Sequence, residues 1–207
     1  MRILITAGPT REYLDPVRYI SNASSGRLGC ALAARAKALG HHVTLVLGPG
    51  TADPPQVDQL VPVTSAADMF EAVVARFDGC DVFIAAAAVC DYRPVIREEH
   101  KIKKSLGKVT IEFERTADIL GRISKRRRRG QVLVGFCLES EDLQRRAHGK
   151  LEVKGLDYVV ANSPEAIGAE RQDATILSAR GASRDLKGLT KEKLADAILA
   201  AVMPRKR

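Results

Sequence analysis

Six apolar runs recur along the chain with helical patterns between them: RILITA, HVTLVLG, QLVPVT, DVFIAAAAV, QVLVGFCLE and DYVVAN. Strands that alternate with helices in this way build a largely parallel, doubly wound sheet, so the expected fold is α/β and Rossmann-like with helices on both faces. Between the first two runs, GRLGCALAARAKALG places Leu28, Leu32, Ala36 and Leu39 on one face, with Arg35 at the edge of the stripe and Gly40 as the terminator. SAADMFEAVVARF begins on a Ser65 cap, with Asp68 three residues later as in a capping box. TADILGRISKRRRR, SEDLQRRAHGKLEVKG and TKEKLADAILAAVM supply the remaining expected helices.

With 207 residues, 45% of them hydrophobic, the chain can bury one core, and residues 1–207 are expected to form a single domain. No apolar run approaches the roughly 20 residues of a bilayer span. MRILITAG is too short and too quickly polar for a signal peptide, so a cytoplasmic protein with no membrane partner is expected. Cys30, Cys80, Cys90 and Cys137 form no C-x-x-C pair and lie in or beside apolar segments, which predicts reduced core thiols and no metal ligands.

Residues 93–130 hold 13 Lys or Arg against 5 Asp or Glu, an excess equal to the whole net charge of +8. Such a block attracts an anion: a nucleoside triphosphate, a phosphorylated metabolite or a nucleic acid. The stretch from Tyr92 to Phe113 also breaks the α/β rhythm. Its charged first part reads as a mobile flap, and the alternation of Val109, Ile111 and Phe113 reads as a half-buried strand that leaves the main sheet and can pair with another chain. KRRRR, from Lys125 to Arg129, falls at a predicted helix C-terminus and reads as a solvated face. An aromatic content of 4%, with no aromatic inside the run, argues against a single-strand nucleic-acid partner.

The first strand and helix suggest a dinucleotide fold, yet GPTREYLDPVRYISNASSGRLG replaces G-x-G-x-x-G, so a standard NAD site is not expected. Ser24, Ser25 and Gly26 bring hydroxyls and backbone N–H groups to a helix N-terminus, where phosphate is favoured, and equally suit a polar turn with a helix cap. Asn22 can donate to a carbonyl oxygen that gains charge, and Arg18 can grip a carboxylate or phosphate; a hydrogen-bonded turn and a surface arginine explain them as well. Ala87 and Ala88 at the end of AAAAV let a ligand lie against the backbone, and Asp91 can accept from ribose or cap the strand end. Lys101, Lys103 and Lys104 suit either a triphosphate or solvent. Phe136 suits a base or the core, and Lys150 and Lys154, four apart on a helix, suit one shared anion or two exposed positions.

The order of these motifs is more specific than any one of them. ITAGPTREYLDPVRYISNASSGRLGCALA, AAAAVCDYRP, HKIKKS, LVGFCLESEDL, KLEVKGLDYVVAN and ATIL resemble, in sequence and order, the phosphopantothenate cysteine ligase family, also called phosphopantothenoylcysteine synthetase. The resemblance implies joining of 4'-phosphopantothenate to L-cysteine through an acyl nucleotidylate, with release of pyrophosphate, in coenzyme A biosynthesis. It implies that Asn22, Arg18 and Ala88 contact the acyl nucleotidylate, that Ala87, Asp91, Phe136, Lys150 and Lys154 bind nucleotide, and that Lys101 is the flap lysine tied to catalysis. DYRP with KIKK resembles the CTP-using branch rather than the ATP-using one. Mg²⁺ travelling with the nucleotide and a homodimer are further implications. Relatives are often fused behind a flavin-dependent decarboxylase; because the sequence opens at the ligase's first strand, a separate decarboxylase and no FMN are expected. Thr116 and Ala117 stand where relatives commonly have Asn and Pro, and Cys90 stands where Ala is usual.

Two other classes share some of these features. A nicotinamide or flavin reductase fits the strand, loop and helix but lacks the glycine fingerprint. A basic nucleic-acid-binding domain fits the charge of residues 93–130, and its binding would be salt-sensitive and indifferent to nucleotide.

Overall fold

The computed structural model describes residues 1–104, 107–139 and 141–203; Ser105 of the KIKKS motif and Ser140, the first residue of the expected fourth helix, lie outside them. In chain order the elements are β1 (Arg2–Ala7), β2 (Arg11–Tyr13), β3 (Tyr19–Ser21), α1 (Arg27–Ala38), β4 (His42–Leu47), β5 (Gln59–Pro62), α2 (Ala66–Phe77), β6 (Val82–Ala85), β7 (Tyr92–Pro94), β8 (Phe113–Arg115), α3 (Ile119–Ser124), β9 (Val132–Leu138), α4 (Leu143–Val153), β10 (Tyr158–Asn162), β11 (Arg171–Ser178), β12 (Ser183–Thr190) and α5 (Lys191–Val202). The six expected strands are β1, β4, β5, β6, β9 and β10. They form the parallel part of one sheet of order β12-β11-β10-β9-β6-β1-β4-β5.

Helices cover both faces because the buried strands carry apolar side chains to both. Ile3 and Ile5 of β1 pack with Val43, Val82 and Val134 under α1 and α5. Leu4, between them, packs with Phe83, Leu133 and Val159 under α2, α3 and α4. β11 and β12 extend the sheet by antiparallel pairing, and neither was expected. Their sequences, RQDATILS and SRDLKGLT, are mostly polar, and only Leu186 of β12 is buried.

The first helix ends one residue before its expected apolar stripe does. Leu39 is the C-cap and 55% exposed, because Gly40 at φ +80° turns the chain away. The N–H groups of Gly40 and His41 then donate to the Lys37 and Ala36 carbonyls at 2.9 and 3.2 Å, the closure of a Schellman motif. Arg35, at the stripe's edge, reaches Asp196 of α5 at 2.6 Å. The Ser65–Asp68 capping box forms as expected, and all four cysteines are free and buried.

Two expectations are corrected. β8 begins only at Phe113: Val109 is 59% and Phe113 39% exposed and Ile111 only half-buried, so the alternation packs against little core. The strand does leave the main sheet, pairing with β7 in a separate two-stranded sheet. KRRRR does not continue α3, which stops at Ser124, but it does lie at the helix C-terminus with Lys125, Arg127, Arg128 and Arg129 exposed. Arg126 pairs with Asp78 at 2.6 Å, Arg127 with Asp157 at 2.7 Å, and Arg128 donates to the Asp78 carbonyl, so the run ties together the ends of α2, α3 and β10. Among the described residues no helix is long and apolar enough to cross a membrane.

The first turn of α1 sits directly on the end of β1. A Cβ at Gly29 would lie 2.3 Å from the Cβ of Ala7 and 3.0 Å from its Cα, so only glycine permits this approach. Gly29→Ala is therefore expected to destabilise the protein by about 1–3 kcal/mol through overpacking, a fall in Tm of about 2–4 °C per kcal/mol for a chain of this size. An unchanged Tm in thermal unfolding would contradict that contact.

Candidate functional site

In a doubly wound sheet the usable crevice lies beyond the carboxyl ends of the strands, where successive crossovers run in opposite directions. Here the chain moves from β1 outward through β4 to β5 and then returns to β6 on the other side of β1. A cavity of about 490 Å³ opens at that point. Its inner wall is Thr6 of β1 with Ala85, Ala87 and Val89, where small side chains leave the backbone approachable. Ile119, Leu120 and the half-buried Phe136 give it an apolar flank. Asp91, Tyr92 and the segment Arg115–Asp118 form the rim, facing Lys150 and Lys154.

The two lysines share a face of α4 and its C-cap, and both already have protein acceptors. Lys150 Nζ donates to the Phe136 carbonyl at 2.5 Å, and Lys154 Nζ to the Asp118 carboxylate. Asp118 also caps α3, accepting from the Gly121 N–H at 2.9 Å. Burial pushes the Asp118 carboxyl up, but Lys154, the Gly121 N–H and the charge of Lys150 outweigh it and hold it below the usual carboxylate range. Thr116 donates through Oγ1 to the Cys90 carbonyl at 2.6 Å and through N to the Asp91 carbonyl at 3.0 Å, so the rim loop is pinned to the end of the β6 segment.

Ala87, Asp91, Phe136, Lys150 and Lys154, all expected to bind nucleotide, thus line one cavity. Ala88 stands just behind its wall. Its carbonyl accepts from Asn22 Nδ2 at 3.0 Å and from the Thr10 N–H at 3.2 Å, which places Asn22 beside the inner wall through a single residue. Ser24, Ser25 and Gly26 are not in the lining. Gly26 is the N-cap of α1 at φ +82°, and the Ser24 and Ser25 hydroxyls accept from the Gly26 and Arg27 N–H groups at 3.4 Å, long contacts that leave both oxygens weakly engaged. The Ser25 carbonyl is held by the N–H groups of Thr51 and Ala52 at 3.1 and 3.0 Å.

Lys101, Lys103 and Lys104 are exposed and also lie outside the lining. Between them, Ile102 is held by two groups of the Leu14–Arg18 turn: its N–H donates to Asp15 Oδ2 at 3.1 Å, and its carbonyl accepts from Arg18 Nη2 at 3.1 Å. Asp15 has no exposed surface. Burial pushes its carboxyl up, but the N–H groups of Val17, Arg18 and Ile102 and the Arg18 guanidinium together bring it below its ordinary range. Neither Asp15 nor Asp118 was picked out from the sequence. Each did carry a local signal, D-P-V-R for a side-chain-bonded turn and Asp before ILGRI for a helix cap.

A family profile for the DNA/pantothenate metabolism flavoprotein C-terminal domain matches residues 1–205. The chain belongs to this family. The coenzyme A biosynthesis bifunctional protein CoaBC of Bacillus subtilis is 42% identical over 205 residues, 97% of this chain and 50% of that protein, so the chain spans about half the length of this curated relative. A crystal structure of the C-terminal domain of a CoaBC protein superposes with a TM-score of 0.83 at 39% identity, covering 97% of this chain and 93% of that one. A Cab2 variant solved in complex with phosphopantothenate-cysteine shares the fold at a TM-score of 0.77 and 18% identity, covering 97% and 85%. The central sheet of this flavoprotein C-terminal domain is the mostly parallel, doubly wound one that the sequence predicts.

The Asp118 contacts carry a pH signature. Because the carboxyl is held below its unfolded value, these contacts stabilise the folded state fully above the ordinary Asp range and are lost as pH falls through the depressed value. Wild type and Asp118→Asn are therefore expected to differ in Tm near neutral pH and to converge in acid. A Tm difference that stays constant across that range would contradict the pairing with Lys154.

Proposed function

We propose that this chain is a nucleotide-dependent acid-to-amine ligase that joins 4'-phosphopantothenate to L-cysteine, with CTP as its nucleotide. The observation that carries the reading is the convergence of Ala87, Asp91, Phe136, Lys150 and Lys154 on one cavity at the switch point, with Asn22 beside it through Ala88. The names of the CoaBC relatives place those proteins in coenzyme A biosynthesis, in keeping with this substrate pair.

In the proposed first step a carboxylate oxygen of phosphopantothenate attacks the α-phosphorus, the bond to the β-phosphate oxygen breaks, and pyrophosphate leaves. In the second, the cysteine amine attacks the acyl carbon, the acyl–oxygen bond breaks, the nucleoside monophosphate leaves, and the amine gives up a proton. Neither step needs a side-chain nucleophile. Both need alignment, neutralised charge and a site that keeps water from the activated acid. Phe136 offers its ring to the base and Asp91 its carboxylate to the ribose, while Lys150 and Lys154 supply positive charge opposite them. The Asn22 carboxamide donates to the acyl oxygen as it gains charge, Arg18 holds the acid, and the Ser24–Gly26 loop at the α1 N-terminus attracts the phosphate of phosphopantothenate. Lys101 closes on the triphosphate. Mg²⁺ would arrive with the nucleotide and offset charge on its phosphates; of the two carboxylates on the cavity rim, Asp118 is paired with Lys154, and Asp91 would be the one free to approach the ion.

Pyrophosphate release is measured with phosphopantothenate, cysteine and either CTP or ATP. Turnover is expected with both acid and amine present and faster with CTP, and no phosphopantothenate-dependent release with either nucleotide would end the reading. Lys101→Gln and Asn22→Asp are each expected to lower kcat about 100-fold or more, as the loss of a donor to developing charge does, with Tm little changed; wild-type kcat would remove those two assignments.

A further inference from the structure

The Leu14–Arg18 turn joins β2 to β3 and is itself anchored. The Arg11 N–H donates to the Thr64 carbonyl at 2.8 Å, and Glu12 Oε1 accepts from the Ala66 N–H at the start of α2 at 2.7 Å. The flap lies across this fixed hairpin. Arg97 stacks its guanidinium 5.2 Å from the centre of the Tyr13 ring, the Glu98 N–H donates to the Leu14 carbonyl at 2.9 Å, and Ile102 meets Asp15 and Arg18. At the far end of that track one fully buried carboxylate carries four contacts. Asp15 Oδ1 accepts from the Val17 and Arg18 N–H groups at 2.8 and 2.7 Å, and Oδ2 accepts from the Ile102 N–H at 3.1 Å and lies 3.4 Å from Arg18 Nη1.

That geometry couples two groups far apart in sequence. The Arg18 side chain is set by Asp15 and by the Ile102 carbonyl; the backbone at Ile102 is set by Asp15 and by Arg18; and Lys101 is the residue just before it. We propose that Asp15 is the positioning residue of the flap, fixing Arg18 and the Lys101 backbone relative to one another so that both meet the substrates of the nucleotidyl transfer together. The proposal rests on the ligase reading above. Asp15 touches no substrate, and its part is geometric: two acceptor oxygens facing donors from two chain segments. A carboxamide of the same size cannot replace it, since its nitrogen would face, donor to donor, either the Ile102 N–H and the Arg18 guanidinium or the Val17 and Arg18 N–H groups.

The experiment compares full-length wild type with Asp15→Asn. Trypsin cleavage after Lys101 and Lys103 under native conditions, followed by mass spectrometry, reports flap docking without any substrate. The variant is expected to be cut about 10- to 100-fold faster, the loss that goes with a hydrogen bond to a charged group, and to keep a cooperative unfolding transition. In the pyrophosphate assay its kcat is expected to fall by about tenfold or more while kcat/KM for cysteine stays within about twofold, because the defect precedes cysteine's entry. Wild-type cleavage overturns the proposal. So does faster cleavage with wild-type kcat, since the carboxylate would then hold the flap without serving the reaction. If the variant does not fold, amide exchange in the wild type decides: Ile102 is expected to exchange about tenfold or more slowly than Lys101 and Lys103, and equal exchange overturns the latch. A wild type inactive with both CTP and ATP fails the ligase reading and with it the catalytic part of the proposal, and equal tryptic cleavage of the two proteins would then overturn the latch as well.

Discussion

The reversal of strand order beside β1 is the constraint on which the rest of the molecule depends. Crossovers that leave β1 in one direction and return on the other side cannot cover the carboxyl ends of both β1 and β6, so a gap remains between them. Close packing elsewhere keeps that gap in one place. Gly29 lets α1 seat against Ala7 at the end of β1, and the Ser25 carbonyl clips the loop before α1 to Thr51 and Ala52. Around the gap are gathered a backbone wall of small residues, an apolar flank and two lysines whose partners are a carbonyl and a carboxylate.

Charge in this protein divides into a structural part and a part left near the site. The densest basic run holds three element ends together through Asp78 and Asp157, which explains why a sequence that looks like a nucleic-acid patch is largely committed to the fold. Lys150 and Lys154 are different: they line the switch-point cavity, each with one acceptor, the Phe136 carbonyl and the Asp118 carboxylate.

The inner parallel strands β1, β6, β9 and β10 were legible because burial on both faces leaves a short apolar run. β11 and β12 were not: β12, at the sheet edge, buries only Leu186, and β11, although it buries Gln172, Ala174, Ile176 and Leu177, opens with three polar residues, so RQDATILS and SRDLKGLT read as polar loop. The helix ends were legible where a cap is chemical, as at Ser65 and Gly40, and misread where a basic run imitated helix continuation after Ser124. Within the site, residue type and motif order pointed to Phe136, Lys150 and Lys154, but no periodicity could show that the Ser24–Gly26 loop lies outside the cavity lining or that Asp15 reaches Ile102 across the hairpin. Contacts between segments more than eighty residues apart leave no local trace in a single sequence.

The proposed nucleotide site is the crevice at the carboxyl ends of β1 and β6. Backbone amide chemical-shift mapping with Mg·CTP tests it without requiring turnover. The largest perturbations are expected at Ala85, Ala87, Asp91, Leu120 and Phe136, with β11 and β12 unaffected; saturating CTP that leaves these five amides unshifted, or that shifts residues of β11 and β12 instead, would contradict it.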